Sequence, residues 1–462
     1  MNGDPSGQAH GRRNQPSQPS QPSQPSRPGP RNQPSQPGQP SQPGPRSAIV
    51  VGAGMAGLAT AWFLQRHGVE VTVVERRHVA AGASWGNAGW LSPAFVTPLN
   101  EPGTLRHGLG GLLTSTSPLY IPPRADPRLA GFLLSFVRNC TWGRWRAGMR
   151  TFATLNPQAL AAYDELAEGG VAEPTKPSEP CLLATRTAAE RRAVVAELDR
   201  VRAAGQEVDY DLLSGDEARA IEPALTDLTG AAIHVHGQRY LHPGRYLAAL
   251  ADAVRGRNGK IIEGVEVTEM EDLGTSVRVV AANGAGGESA AELTADVVVL
   301  AAGAWVNRLA RRFGVRVHVQ SGRGYSFTVS GTTVPAGPTY FPAHKVVCTP
   351  LTDGTARIGG TMEFADPDRP LDVRRIDAII AAARPLLRGI DWAGRTDEWT
   401  GPRPCTADGL PLVGATRSPR VYMCGGHGMW GITLGPLTGR LLAEAIATGR
   451  TPPELTPLRP LR

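Results

Sequence analysis

The sequence predicts an α/β fold with a Rossmann-like βαβ unit at its ordered start. Three observations predict it. The apolar run Ala48–Val51 leads into Gly52-x-Gly54-x-x-Gly57, a helical pattern covers Leu58–His67, and a second apolar run, Val69–Val74, ends on Glu75. In such a unit the first glycine makes the tight turn, the second lets the backbone approach a pyrophosphate, and the third allows close helix–strand packing. Ala61 keeps the next helical position small, Gly68 precedes the second strand, and Glu75 stands where an acid accepts ribose hydroxyls. The same acid repels a 2′-phosphate, which disfavours NADP.

What surrounds the unit bounds the reading. A chain of 462 residues with 41% hydrophobic content is long enough for two or three domains and a sizeable core. From Gln15 to Pro45 it repeats Gln-Pro-Ser and Gln-Pro-Gly, so residues 1–46 read as a disordered tail. The net charge of +7 invites a nucleic-acid partner, yet Arg12, Arg13, Arg27, Arg31 and Arg46 face only Asp4 in that tail. Most of the basic excess belongs there, and nucleic-acid binding is not expected of the remainder. The five cysteines are scattered without a CxxC pair, so neither a disulfide framework nor a metal site is expected, and a reducing, cytoplasmic setting fits. No secretory signal or spanning segment is expected either.

Further along, helical patterns cover Arg128–Arg150, Pro157–Glu168, Ala188–Ala204 and Gly435–Ala447. Strand patterns cover Ile261–Val267, Ser276–Ala281, Asp296–Leu300, Arg316–Val319, Tyr325–Val329, Ala356–Ile358 and Val421–Cys424. Regular βα repeats do not follow Glu75. A small-residue loop, Ala81–Gly89, comes next, and glycine clusters recur at Val297–Gly303 and Met423–Gly428. Backbone-approach sites spread over the whole chain suit a long FAD threaded through the fold.

These residues resemble a known family. The run VVGAGMAGLATAWFLQRHGVEVTVVE, the loop SWGNAGWLSP, the segment FLLSFVRNCTWGRWR and the blocks WTGPRPCTADGLPLVGAT and GGHGMWGITLGPLTGRLLAE are similar to the D-amino acid dehydrogenase family of FAD-dependent amine oxidoreductases. The superfamily also holds glycine and sarcosine oxidases. The resemblance implies an FAD domain from discontinuous segments (47–100, 231–308, 399–450) and a mixed-sheet α+β substrate domain (101–230, 309–398), with 451–462 a C-terminal tail. It implies oxidative deamination of D-amino acids to 2-oxo acids and ammonia, with hydride passing to flavin N5. By matching position, Gly52, Ala53, Gly54, Met55, Ala56, Gly57, Glu75 and Arg76 hold the ADP half, and Val267 meets the adenine through its backbone. Ser84, Asn87, Ala88 and Gly89 lie near the flavin, Ala302 and Gly303 near the pyrophosphate, and Gly426, His427, Gly428 and Gly431 around the isoalloxazine.

For catalysis the resemblance points to Arg403, whose guanidinium offers the bidentate geometry that a substrate carboxylate requires. Tyr325 is expected to hydrogen-bond the same carboxylate or close the pocket, against a reading as a half-buried strand aromatic. His427 is weighed evenly between the flavin edge and simple packing. Arg239 and Tyr240, before His242-Pro243, read as a helix entry in preference to a substrate-facing pair, and Glu363 as structural in preference to a general base. Met429 and Trp430 replace the basic residue that glycine-oxidase relatives carry after the histidine, which favours an apolar pocket. Cys405 misses the spacing of covalent flavin attachment, so FAD is expected to be non-covalent.

Partners stay open at this stage. The electron acceptor is quinone or oxygen. The segment Leu129–Arg150, with Phe132, Phe136, Trp142 and Trp145 among four arginines, reads as an amphipathic helix docked on the substrate domain or as peripheral contact with the inner face of the plasma membrane. An oxidase of glycine, sarcosine or another secondary amine is one alternative activity. A catalytically inactive flavin-binding interaction protein is an alternative of another class.

Overall fold

The βαβ unit lies at the centre of a six-stranded sheet in a computed structural model, which describes residues 44–103, 117, 119–122, 126–283 and 291–462. The expected disordered tail falls outside the described residues up to Pro43. Arg46 N donates to Asp296 Oδ2 at 2.7 Å, so the described chain is already anchored ahead of the first strand. The sheet order is Lys260–Ile262, Glu70–Val74, Ser47–Val51, Val297–Leu300, Val421–Gly425 and Leu412–Ala415. Its first five strands run parallel and the last is antiparallel. Continuous apolar strands such as Val297–Leu300 are buried on both faces, as a sheet covered on both sides demands.

The helix Met55–Arg66 follows the first strand and packs against Gly431–Thr448. Glycine spacing on the second helix sets how closely they cross. A Cβ on Gly439 would lie 2.8 Å from Thr60 N, and one on Gly435 would lie 3.0 Å from Met55 Cγ. The two helices bury Leu58, Trp62, Leu64, Leu434, Leu437 and Leu442 in one core, each such side chain contributing about 1.5–3 kcal/mol. Both helices begin at the same edge of the sheet, which is how the fold assembles the site.

The second large element is a nine-stranded mixed sheet. Its order is Ile390–Cys405, Gln320–Gly331, Ala356–Phe364, Val346–Pro350, Thr339–Phe341, Leu182–Thr185, Ala231–Val235 and Tyr210–Ser214, with Leu119–Tyr120 added parallel to Ala356–Phe364. Most pairs are antiparallel, while Thr339–Phe341 runs parallel to Leu182–Thr185. The helix Val373–Ala383 covers it with Ile376, Ile379 and Ile380, which meet Phe327 and Ile358. Pro402 and Pro404 fall on the edge strand, where a missing backbone donor is tolerated.

Several boundaries differ from the sequence reading. The helical pattern Arg128–Arg150 is two helices, Pro127–Asn139 and Trp142–Leu155, because Thr141 caps a new start by accepting from Arg144 N. The strand pattern Ile261–Val267 divides at Gly264, whose φ of 77° breaks the extended run. Arg316–Val319 is not a strand; the strand starts at Gln320. Residues 451–462 pack onto the core through buried Leu455 and Leu458 rather than trailing as a tail. No helix among the described residues is long and apolar enough to cross a membrane.

Candidate active site

An open cleft with about 1230 Å³ of empty space runs from the βαβ glycines to the edge strand Ile390–Cys405. One end is built by the first turn. Gly52 has φ 110°, and a Cβ there would come 2.6 Å from Ala301 O. A Cβ on Gly57 would lie 1.9 Å from Gly52 O, so helix and turn touch backbone to backbone. Helix Met55–Arg66 has no side-chain cap and no acid in its first turn. Its N-terminus therefore presents partial positive charge to the cleft, which suits a phosphate.

Glu75 braces this turn. Its Oε2 accepts from Ala53 N at 2.9 Å and its Oε1 from Arg77 N at 3.0 Å. Ser84 Oγ accepts from Met55 N at 3.1 Å, tying the following loop to the same helix start. Asn87 Oδ1 accepts from Gly89 N at 2.9 Å. The wall is completed by Val267, Ala302 and Gly303, with Gly303 at φ 54°.

At the other end, His427, Gly428 and Gly431 line the cleft where helix Gly431–Thr448 begins, again without a side-chain cap. His427 is buried, and burial depresses its pKa to about 4, so the ring is neutral at physiological pH. Its Nε2 lies 2.9 Å from Thr438 Oγ1, and that hydroxyl in turn reaches Leu434 O at 3.0 Å. That hydroxyl ties the ring to the helix backbone, and its single proton serves either Nε2 or the carbonyl.

Arg403 faces the cleft between Pro402 and Pro404. Strand pairing sets it opposite Gly322, and its guanidinium lies where a Cβ on Gly324 would be 2.2 Å from Nη2. Its Nη1 donates to Thr361 O at 3.1 Å, its single hydrogen bond among the described residues. No carboxylate lies within ion-pair distance of it among the described residues, and burial lowers its pKa. The other cleft arginines are differently engaged. Arg76 pairs with Asp368 at 2.9 Å, Arg308 with Glu266 at 3.7 Å, and exposed Arg77 donates to Ala81 O. A desolvated fork with four donors to spare is a site for an incoming anion.

The structure thus brings Gly52, Gly54, Met55, Ala56, Glu75, Arg76, Ser84, Asn87, Val267, Ala302, Gly303, Arg403, His427, Gly428 and Gly431 onto one cleft. Ala53, Gly57, Ala88, Gly89 and Gly426 lie outside its lining. Ala53 and Gly57 shape the turn from behind, and Gly89 is held against Leu241, where a Cβ would lie 2.2 Å from its carbonyl. Tyr325 is a correction. It is buried in the second sheet's core, and its hydroxyl donates to Glu363 Oε2 at 2.9 Å instead of facing the cleft. Burial chiefly, with Arg323 opposing and Glu363 adding, pushes its pKa up to about 12. Glu363 also takes Arg369 at 2.9 Å and Arg323 at 3.6 Å, a buried structural network as the sequence suggested. His242 caps the helix Pro243–Gly256, accepting from Arg245 N, as a helix entry should.

Sequence reasoning missed Trp305 and Asp368. Trp305 Nε1 donates to Asp368 Oδ2 at 2.8 Å, and Arg76 stacks 4.2 Å from the indole, closing a strap beside Glu75. Asp368 is remote in sequence, so no local motif marks it.

The protein-family comparison settles the class. A model described as FAD dependent oxidoreductase matches residues 47–445. The chain belongs to this FAD-dependent oxidoreductase family. Among its relatives, a D-amino acid dehydrogenase of Phenylobacterium zucineum is 30% identical over 414 residues, 88% of this chain and 95% of the relative. Another of the same name, from Chromohalobacter salexigens, is 29% identical over 412 residues, 87% of this chain and 96% of the relative. Glycine oxidase of Geobacillus kaustophilus shares the fold at TM-score 0.66 and 22% identity, covering 91% and 99% of the two chains. FAD-bound L-α-glycerophosphate oxidase of Mycoplasma pneumoniae does so at TM-score 0.66 and 18% identity, covering 88% and 96%.

FAD is therefore the cofactor of this family member. The residues present fit it. Gly52 and Gly57 stand where a Cβ would clash, two helix starts without a cap from their own N-cap residue open on one cleft, and an acid stands at the end of the second strand.

Proposed function

We propose that this FAD-dependent oxidoreductase deaminates D-amino acids oxidatively to 2-oxo acids and ammonia, with FAD held non-covalently. The observation that carries the reading is Arg403, a partly buried guanidinium with one hydrogen bond and no carboxylate partner among the described residues, at the rim of a cleft built for a dinucleotide. The D-amino acid dehydrogenases that match most of the chain support the substrate class.

In this reading Arg403 binds the substrate carboxylate through two parallel N–H bonds and fixes the α-carbon relative to the cleft floor. When bound, FAD supplies the acceptor for the hydride that leaves the α-carbon. The imino acid then takes up water and releases ammonia. Among the cleft-lining residues the carboxylates are Glu75 and Glu266, both at the far end with Gly52 and Val265, so no acid competes for the fork of Arg403. Neutral His427 places no positive charge near the substrate amine. Met429 and Ile432 give the adjoining wall apolar character, which suits a side chain larger than hydrogen.

Tyr325 and Glu363 act in this scheme as positioning residues. They lock strand Gln320–Gly331 to Ala356–Phe364, and the first of these strands carries Gly322 and Gly324 beneath Arg403. Quinone or oxygen accepts the electrons. The helix Pro127–Asn139 leaves Leu134 and Val137 exposed at 54% and 50%, and Trp142 on the next helix is exposed at 37%, while Phe132, Phe136 and Trp145 are buried. That ridge fits peripheral contact with a membrane surface, testable by co-sedimentation with anionic vesicles.

The deciding experiment is anaerobic addition of D-alanine, D-proline and other D-amino acids to the yellow holoenzyme. Bleaching of the flavin is expected. Reduction by glycine or sarcosine with none by any D-amino acid overturns the substrate assignment.

A further inference from the structure

A cluster away from the cleft has the make-up of a metal centre. His234 lies on strand Ala231–Val235 and His236 directly follows it, two residues on, so both rings leave the same face. Their centroids are 4.3 Å apart. Glu179 faces both, its Oε2 2.9 Å from His234 Nε2 and its Oε1 3.9 Å from His236 Nδ1. Asp211, on the neighbouring strand Tyr210–Ser214, meets the other nitrogen of His236, with Oδ2 3.0 Å from Nε2.

The geometry points to a divalent transition-metal site of the zinc class, formed by Glu179, His234 and His236 with Asp211 behind it. Donors around a tetrahedral zinc at about 2.0–2.1 Å stand about 3.3 Å from one another. The measured separations of 2.9 and 3.9 Å bracket that value, and the potential ligand atoms of all three residues lie within 4.8 Å of one another. Small rotations of the Glu179 side chain, which is 51% exposed, are enough to adjust them. Asp211 completes the chemistry. By accepting the Nε2–H of His236 it fixes the tautomer whose Nδ1 lone pair faces Glu179, the carboxylate–histidine–metal arrangement that orients metal-bound imidazoles.

The backbone holds the donors in register. His236 N donates to Asp209 O at 3.0 Å, extending the strand pair by one bond, and Val235 N donates to Cys181 O at 2.9 Å, keeping the Glu179 segment alongside. Two imidazoles and one carboxylate leave a fourth position open to solvent for water. None of the four residues lines the cleft, and their strands lie at the opposite end of the nine-stranded sheet from the edge strand that carries Arg403. The metal therefore staples the far edge of this sheet, joining the segment before Leu182 to strand Ala231–Val235, and leaves turnover unchanged.

The test is calorimetric titration of chelator-treated, full-length holoenzyme with Zn²⁺, alongside H234Q/H236Q, E179Q and D211N. One saturable equivalent is expected in the wild-type chain, lost in H234Q/H236Q and weakened at least tenfold in E179Q. D211N is expected to weaken binding by about 10–100-fold. Zinc should also raise the wild-type melting temperature and not that of H234Q/H236Q. Flavin content and melting in chelator report whether the double variant folds; if it does not, E179Q and D211N decide. Absence of saturable binding in the wild type, or an equivalent that survives in H234Q/H236Q or keeps wild-type affinity in both single variants, overturns the site and leaves an ion-pair cluster only.

Discussion

Replacing Arg403 separates substrate binding from everything else the cleft does. In Arg403→Ala the fold loses one hydrogen bond, to Thr361 O, and the cover over Gly324. With no acid partner among the described residues, no carboxylate is left buried and unpaired, and relief of the guanidinium's desolvation offsets the lost bond, so stability should change by no more than about 1 kcal/mol. The cost to substrate is larger. Hydrogen bonds to charged groups contribute about 1.5–3 kcal/mol each, and a two-bond fork in a partly desolvated cleft should supply about 3–4 kcal/mol. At about 1.4 kcal/mol per factor of ten, kcat/KM for a D-amino acid should fall about 10²–10³-fold. Arg403→Lys keeps the charge and loses the fork, so a fall of about tenfold or somewhat more is expected. The assay is the anaerobic rate of flavin bleaching against substrate concentration, with dithionite reduction as the control that FAD is bound and competent. A D-amino acid amide closes the cycle: it should be poor for the wild type and lose little further in Arg403→Ala, because the interacting charge is already absent. Bleaching of Arg403→Ala by D-amino acids within threefold of the wild-type rate, or equal loss with acid and amide, would refute the role of this residue.

Three other perturbations probe the cofactor end and the tail. Gly57→Ala places a Cβ 1.9 Å from Gly52 O, and purified protein should show at least a tenfold lower flavin-to-protein absorbance ratio than wild type. His427 has a folded pKa of about 4, below the unfolded value near 6.5. Between those values the unfolded chain binds the proton and the folded chain does not, so stability falls as pH drops from about 6.5 to about 4, by about 3 kcal/mol from this group. Urea midpoints of His427→Gln at pH 5 and 7.5 should differ less than those of the wild type. A chain beginning at Gly44 should retain wild-type kcat/KM, which steady-state rates will check.

What the sequence disclosed followed from how local each feature is. The βαβ unit is contiguous, and its glycines are fixed by clashes within one turn, so Gly52, Gly57 and Glu75 were legible from spacing alone. Arg403 was singled out among many arginines by the resemblance of the block WTGPRPCTADGLPLVGAT, not by spacing or pattern. Tyr325 stayed open between the pocket and a strand aromatic, because strand alternation tells only that a residue is in or out. The partner that holds its hydroxyl inward, Glu363, arrives from another strand. The Trp305–Asp368 strap and the Glu179–His234–His236 cluster were invisible for the same reason, each joining segments more than fifty residues apart. The helical run Arg128–Arg150 read as continuous because its apolar period survives Thr141, and only a capping side chain reveals the break.

The distribution of charge in the second sheet explains why one arginine among so many is available. Arg323 and Arg369 converge on Glu363, and Arg357 donates through both terminal nitrogens to neutral oxygens at Ser326, Thr328 and the Asp397 carbonyl. Burying those cations demands such partners, because an unpaired buried charge costs several kcal/mol. Arg403 breaks the rule: it has one carbonyl, and burial already lowers its pKa. A site that leaves a guanidinium short of partners is destabilised until an anion arrives, and the anion's binding recovers that cost. Adding a permanent partner should therefore stabilise the fold and suppress turnover together. Thr361→Asp, beside the carbonyl that Arg403 already uses, is the variant in which melting temperature and kcat/KM should move in opposite directions. If both fall, Arg403 was not the group the new carboxylate engaged.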